Sequence, residues 1–118
     1  MEALIIVAHG SKMKSSNNEV LSVVEKVKEK LSNTNTMVSY CFLELVEPSL
    51  FLSISNAISH KCEKIKIFPY FLAAGKHVTK DLPCEIKKFK KQYPHIEFEL
   101  LTHFGLCKGI EEIIIANI

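Results

Sequence analysis

Apolar residues fall along the chain in four short runs, each followed by a longer segment in which apolar residues recur at helical spacing. The first run, residues 3–8, is continuous, which is typical of a parallel strand buried on both faces. Further strands are predicted over residues 37–43, 64–68 and 95–101. This βαβαβαβα order predicts an α/β fold: a single domain over residues 1–118, with an open, mainly parallel four-stranded sheet and helices on both faces.

Local signals predict where the helices begin. Ser16-Asn17-Asn18-Glu19 matches a capping box for the first helix, and Glu47-Pro48-Ser49 predicts that the second has proline in its first turn. Asp81 is expected to cap the third helix, and residues 106–118 are expected to form the fourth. The apolar positions expected to face the core are Val20, Val24, Val27 and Leu31, then Leu50, Ile54 and Ile58, then Leu82, Ile86 and Phe89.

Polar groups follow the four predicted strands: His9, Glu44 with Glu47, His77 and His103. The carboxyl ends of parallel strands meet at one edge of a sheet, and ligands bind there. Two imidazoles at that edge can converge on one metal ion or one reacting group, and a neighbouring carboxylate can orient a ring or relay its proton. His77 lies with Gly75 in a long predicted loop, residues 69–80, of the kind that is often functional.

Each of these residues also has a purely structural interpretation. His9 can end a strand by bonding a loop carbonyl, His77 can be an exposed loop residue, and Glu44 can be a solvated carboxylate. His60, His95 and His103 are interpreted as structural or surface histidines.

Charge and composition narrow the function classes. The formal net charge is +2, and all 15 basic residues are lysines, so the chain lacks the arginine fork that reads bases and grips phosphates; nucleic acid is not an expected partner. Residues 76–91 carry six lysines against two acidic residues. This cluster is either a solvated helix face or a patch that steers an anionic substrate toward His77.

Cysteine spacing and hydropathy bear on the compartment. Cys41, Cys62, Cys84 and Cys107 lie about twenty residues apart, without the close pairs of a zinc site, and are expected to be reduced core residues. The sequence shows no signal peptide pattern and no apolar stretch of membrane-spanning length. A cytoplasmic protein that does not engage membranes is therefore expected.

The motifs GxGxxG, GxxxxGK[ST], HExxH and GxSxG, which are typical of dinucleotide-binding, nucleotide-binding, zinc protease and α/β-hydrolase proteins, are all absent. Three segments of the chain instead resemble a known family. Residues 4–11 (LIIVAHGS), 42–49 (FLELVEPS) and 69–83 (PYFLAAGKHVTKDLP) together resemble the short form of the sirohydrochlorin chelatases, and the likeness extends over residues 3–107. The third segment is the most specific of the three. One departure is Lys12, where the family often has arginine.

The resemblance implies a class II chelatase fold and insertion of a divalent metal into sirohydrochlorin, in tetrapyrrole or cobalamin biosynthesis. Cobalt is the expected metal, with nickel or iron inserted by the same chemistry as alternatives. His9 and His77 map onto histidines that bind the metal and accept pyrrole protons, and Glu44 onto a relay or additional ligand. The metal is then a substrate, no organic cofactor is needed, and a homodimer is expected for a chain of this length. The expected contacts to the flat macrocycle are Ser11, Tyr70, Phe71, Leu72 and Gly75.

Two other functions compete with this interpretation. One is a non-catalytic carrier of metal or tetrapyrrole built on the same domain. The other is a receiver-like or flavodoxin-like domain, which requires an acidic phosphoacceptor pocket or a phosphate-wrapping loop after the first strand. His9-Gly10-Ser11 supplies neither of these features in full.

Overall fold

A computed structural model describes the whole chain, residues 1–118, except for the side chain of His77. Four parallel strands form one sheet in the order β2-β1-β3-β4, which confirms the predicted fold class. The strands are β1 (Glu2–Ala8), β2 (Thr36–Phe42), β3 (Lys64–Pro69) and β4 (Glu97–Leu100).

The helices alternate with the strands along the chain. They are α1 (Lys14–Lys30), α2 (Leu50–Ser59), α3 (Leu82–Gln92) and α4 (Ile110–Ala116). A π-helical turn, His77–Asp81, leads directly into α3, and a short 3-10 turn, Phe104–Leu106, precedes α4.

The sheet is covered on both faces, as predicted. One face packs against α2 and α3 through a core that includes Ile5, Ile54, Ile67 and Leu82. The other face packs against α1 through a smaller cluster centred on Ile6, Val24 and Val38. Because β1 lies between two strands and two layers of helix, its run of apolar residues is buried almost throughout.

Several predicted boundaries are wrong. The helix α1 begins at Lys14, so Ser16 and Glu19 lie inside its first turns and form no capping box. Ser49 caps α2, and its Oγ accepts a hydrogen bond from Leu52 N–H at 3.2 Å; Pro48 therefore precedes the helix and follows a cis peptide bond. Asp81 already has helical backbone angles, because the helical path starts at His77, inside the predicted loop.

The fourth strand and the last helix are both shorter than predicted. His95 and Ile96 lie before β4, and Leu101 lies after it. The predicted helix over residues 106–118 is interrupted: the 3-10 turn ends at Leu106, and α4 starts only at Ile110, after Gly109 with φ +93°. A backbone in that left-handed region favours glycine and breaks a helical path.

Only two of the four cysteines belong to the core. Cys41 and Cys62 are buried, and burial raises the pKa of the Cys41 thiol to about 12 and also raises the pKa of Cys62. Cys84 is exposed and Cys107 is half-buried, which corrects the prediction that all four are core residues.

The strand order positions the site. From β1 the chain moves to β2 on one side, and from β2 it crosses over to β3 on the other side. The order of the strands therefore reverses between β1 and β3, and in open α/β sheets the ligand crevice forms at the carboxyl ends of such a pair. His9 follows β1, and the segment that leads to His77 follows β3. No helix in the described chain is long and apolar enough to cross a membrane.

Candidate functional site

The side chains of His9 and Glu44 meet at the carboxyl edge of the sheet. Nε2 of His9 lies 2.9 Å from Oε1 of Glu44, and each side chain is about half exposed, 50% and 52%. When Nε2–H of the imidazole donates to the carboxylate, the hydrogen bond fixes the orientation of the ring. The pair therefore presents an oriented imidazole that a ligand can reach.

The backbone holds this pair together. The β1–β2 ladder continues past the last strand residues: Leu43 N–H donates to the Ala8 carbonyl at 3.0 Å, and Glu44 N–H donates to the His9 carbonyl at 3.2 Å. Gly10 follows with φ +96°, and a Cβ at this position would lie only 2.0 Å from the Glu44 carbonyl oxygen. Glycine at position 10 is thus required both by conformation and by the close approach of the two loops.

Asn17 fixes the turn after His9 at two points. Its Oδ1 accepts a hydrogen bond from Ser11 N–H at 3.0 Å, and its Nδ2 donates to the Ser11 carbonyl at 2.8 Å. The Ser11 hydroxyl accepts from Met13 N–H at 3.0 Å. Ser11, an expected macrocycle contact, therefore also shapes the loop through its own hydroxyl. The role of Asn17 was missed from the sequence, because the capping-box interpretation assigned this segment to a helix start.

The segment after Glu44 is a tight turn. Leu45 has φ +69°, and Val46 N–H donates to the Glu44 carbonyl at 2.8 Å. Glu47 is predicted at the same rim. Its Oε2 accepts a hydrogen bond from Ser49 N–H at 3.2 Å, so this carboxylate binds the backbone of the residue that caps α2. The structure thus brings one of the two rim glutamates to His9.

Phe71 packs against the His9 ring from the β3 side. The ring centroids lie 6.4 Å apart and the ring planes are nearly perpendicular, at 83°. Tyr70 N–H extends the β1–β3 ladder by donating to the Val7 carbonyl at 2.8 Å, and the Tyr70 ring lies 5.4 Å from the Phe104 ring. Phe71 therefore borders the His9 imidazole, as the strand-end argument predicts, whereas Tyr70 packs with Phe104 on the α1 face of the sheet.

Gly105 anchors the segment that follows β3. Its N–H donates to the Phe71 carbonyl at 2.9 Å, and a Cβ at this position would lie 1.5 Å from the Leu72 carbonyl oxygen. This contact cannot be predicted from the sequence, since nothing in the local pattern shows which distant backbone a glycine approaches. Leu72 itself is 74% exposed at the rim, and Gly75 has nothing within 4 Å of its would-be Cβ.

The backbone of His77 begins the π-helical turn, in which Val78 N–H and Thr79 N–H both donate to the Gly75 carbonyl at 3.1 Å. The side chain of His77 lies outside the described part of the structure, so its predicted roles as metal ligand and proton acceptor stay predictions. Among the described side chains, no three His, Cys, Asp or Glu residues form a group that can hold a metal ion.

The remaining histidines and lysines occupy the surface. The Nδ1 of His60 lies 2.8 Å from the Asn56 carbonyl at the end of α2, His95 is exposed beside Tyr93, and His103 is half-buried before the 3-10 turn. The lysines of α3 are exposed, and Lys88 pairs with Glu85 at 3.5 Å. The lysine cluster of residues 76–91 is therefore a solvated face beside the segment that carries His77.

Comparison with known proteins identifies the family. Residues 3–118 match the CbiX family. The chain belongs to the CbiX family.

Relatives of this CbiX-family chain are named for two different metals. It is 40% identical over 83 residues to the sirohydrochlorin cobaltochelatase of Methanococcus aeolicus, a match that covers 70% of this chain and 57% of that protein. It is 30% identical over 118 residues to the sirohydrochlorin ferrochelatase of Priestia megaterium, covering 100% of this chain and 44% of the relative. The CbiX-family chain thus spans about half the length of these curated relatives.

A solved structure of similar size shares the fold. The putative cobalamin biosynthesis CbiX protein from Marinobacter aquaeolei VT8 is 26% identical, with a TM-score of 0.75, and the match covers 99% of this CbiX-family chain and 93% of that protein.

Proposed function

We propose that this chain is a sirohydrochlorin metal chelatase, a lyase-class enzyme that inserts a divalent metal into sirohydrochlorin and releases two protons. The observation that carries the proposal is the His9–Glu44 pair, 2.9 Å apart, at the strand-order reversal between β1 and β3. Family membership and the named chelatase relatives support the same reaction.

The reaction needs groups that hold the ion and accept protons. The entering M²⁺ replaces two pyrrole N–H protons, and no electron is transferred, so the metal keeps its oxidation state. His9 coordinates the ion or accepts a proton through Nδ1 while Glu44 holds Nε2. The Glu44 carboxylate stabilises the imidazolium that forms when His9 takes the proton.

His77 is proposed as the second imidazole. Its backbone follows β3, the neighbour of β1 across the reversal, and this order supports a position for His77 at the same edge of the sheet as His9. We assign both histidines as metal ligands and proton acceptors, with Glu44 as the residue that orients His9.

A flat, polycarboxylate macrocycle suits the surroundings of this pair. Phe71 lies beside the His9 ring, and the exposed Leu72 extends the apolar rim. Tyr70, Ser11 and Gly75 complete the proposed macrocycle contacts. The exposed lysines of residues 76–91 carry a local excess of positive charge that draws carboxylates toward the rim.

Cobalt is the proposed metal, with nickel or iron as alternatives. Imidazole and carboxylate ligands bind all three divalent ions, with affinity rising from iron through cobalt to nickel. The relatives themselves include a cobaltochelatase and a ferrochelatase. The reaction contributes to tetrapyrrole biosynthesis, and to cobalamin biosynthesis when the metal is cobalt.

A homodimer in the cytoplasm completes the proposal. A 118-residue domain buries a modest fraction of its surface, so a second copy adds apolar burial. The free thiols, of which Cys84 is exposed, suit a reducing compartment.

The decisive experiment mixes the purified protein with excess sirohydrochlorin and Co²⁺, Ni²⁺ or Fe²⁺ under anaerobic conditions and follows the absorbance. Many turnovers per chain above the protein-free rate support the enzyme. A spectral change that stops at one equivalent indicates the alternative, a non-catalytic carrier of metal or tetrapyrrole, and overturns the proposal.

A further inference from the structure

The last helix is apolar and uncovered. The side chains of Ile113, Ile114 and Ile115 are 53%, 62% and 63% exposed, and no residue of α4 is buried. Three consecutive large aliphatic residues at this exposure are unusual for a helix that faces only water.

A groove without an occupant lies on the α1 face of the sheet. Its cavity of about 290 Å³ is lined by residues of α1, of β1 and of the β3 side, together with Phe104. The walls are apolar: Leu4 and Ile6 of β1, Val23 and Val27 of α1, and Phe68 with Tyr70 on the β3 side. On the opposite face, α2 and α3 both cover the sheet, whereas here α1 packs alone in the smaller cluster.

The helix and the groove of one chain do not meet. Gly109, with φ +93°, turns the backbone just before α4; α4 packs mainly against the preceding 3-10 turn, and none of its residues lines the groove. The radius of gyration is 14.3 Å, against about 13.5 Å for a compact domain of this length. One chain therefore carries both an uncovered apolar helix and an apolar groove of the kind that a helix fills.

The charges at the two surfaces are complementary. Glu111 and Glu112 lie in the first turn of α4. Lys26 and Lys30 follow Val23 and Val27 by three residues, which places them on the same side of α1, at the border of the groove. Acidic groups on the helix thus have basic groups available beside its docking surface.

We propose that α4 of one copy packs into the α1-side groove of a second copy, and that two copies exchange their last helices around a two-fold axis. The inference deepens the homodimer of the proposed function by naming its contact surface. A two-fold arrangement buries each helix and each groove once, and it leaves neither surface open for further association.

Sedimentation velocity tests the exchange. We expect the wild-type chain at twice its 13.4 kDa. Ile114→Glu places a charge on the exposed face of α4, where it cannot disturb the core, and should raise the dimer dissociation constant at least about 30-fold. Val27→Glu in the groove should have the same effect, and Leu52→Glu, an exposed position on α2 on the other sheet face, is the matched control.

Mixing the two variants distinguishes exchange from docking within one chain. The Val27→Glu copy has an intact helix and the Ile114→Glu copy has an intact groove, so an equimolar mixture should form dimers where each variant alone is monomeric. Amide hydrogen exchange of wild-type α4 should also slow as dimer forms. If Val27→Glu loses its circular dichroism signal, Val23→Glu replaces it.

A monomeric wild-type chain, a mixture that stays monomeric, or a Leu52→Glu dimer as weak as the Ile114→Glu one overturns the exchange. The metal-insertion assay tests the chelatase proposal independently of the helix exchange. Turnover by a monomer rejects the helix exchange and keeps the chelatase, whereas an exchanged dimer without turnover rejects the chelatase and keeps the exchange.

Discussion

His9 and Glu44 are joined twice: their side chains meet at 2.9 Å between Nε2 and Oε1, and the Glu44 N–H donates to the His9 carbonyl at 3.2 Å. The backbone bond continues the β1–β2 ladder, so the sheet fixes the relative position of the two backbone segments that carry the imidazole and the carboxylate. The carboxylate is therefore positioned to act on His9 whatever ligand arrives.

Substitutions at Glu44 test whether its carboxylate acts through its negative charge or only by orienting the His9 ring. Glu44→Gln keeps an oxygen that accepts from His9 Nε2–H but removes the negative charge, and we expect turnover to fall about 10–100-fold. Glu44→Ala removes both the acceptor oxygen and the negative charge, so turnover should fall further than in Glu44→Gln. Steady-state metal insertion measures kcat and the apparent KM for metal. Glu47→Gln is the matched control, because Glu47 bonds Ser49 N–H instead; an equal loss in that variant would contradict the assignment.

The two proposed imidazoles should be individually necessary. His9→Ala and His77→Ala are each expected to lower turnover at least about 10²–10⁴-fold, the usual contribution of a positioned acid–base group. Unfolding midpoints in urea should change little, because His9 is half exposed and lies outside the core. His60→Ala, at an exposed histidine bonded to its own helix end, is the control. A folded His9→Ala or His77→Ala variant with wild-type turnover removes that residue from the mechanism.

Gly10 should be intolerant of a side chain. A Cβ there meets the Glu44 carbonyl oxygen at 2.0 Å in a left-handed backbone, so Gly10→Ala is expected to destabilise the fold by about 1–3 kcal/mol. It should also displace Glu44 from His9. Gly75→Ala, where the new methyl meets nothing within 4 Å, should stay within about 0.5 kcal/mol of wild type in urea unfolding. Equal stability of the two variants would contradict the close-approach argument.

The thiols should differ sharply in reactivity. Burial holds the pKa of Cys41 near 12, so we expect it to resist iodoacetamide at pH 8 until the chain unfolds, whereas the exposed Cys84 is alkylated first. Peptide mass mapping measures both. The pKa is higher in the folded state than its ordinary 9.0, so stability from this group is complete below pH 9 and is lost as the pH rises toward 12. Rapid labelling of native Cys41 would contradict its burial.

The sheet was predictable because its signal is local. The continuous apolar run before His9 and the three later runs each match an observed strand, and the alternation of strands with helices predicts that the strands are parallel. The same reasoning predicts Glu44 and His9 at one edge of the sheet, and the structure adds that they follow adjacent strands.

The missed features depend on tertiary contacts. Asn17 looks like part of a capping box, but in the fold its amide bonds Ser11, which lies outside the helix. Gly105 touches the Leu72 backbone, more than thirty residues earlier in the chain. The late start of the last helix, after Gly109, also depends on a left-handed backbone conformation that the apolar spacing of residues 106–118 does not reveal.

Because the strand order reverses between β1 and β3, no single short segment of the chain contains the site. His9, Glu44 and Phe71 come from three separate turns, and only the shared strand ladders bring them side by side. A synthetic peptide containing any one of these turns will lack the arrangement. Any spectroscopic probe of the His9 ring thus also reports whether the sheet as a whole has formed.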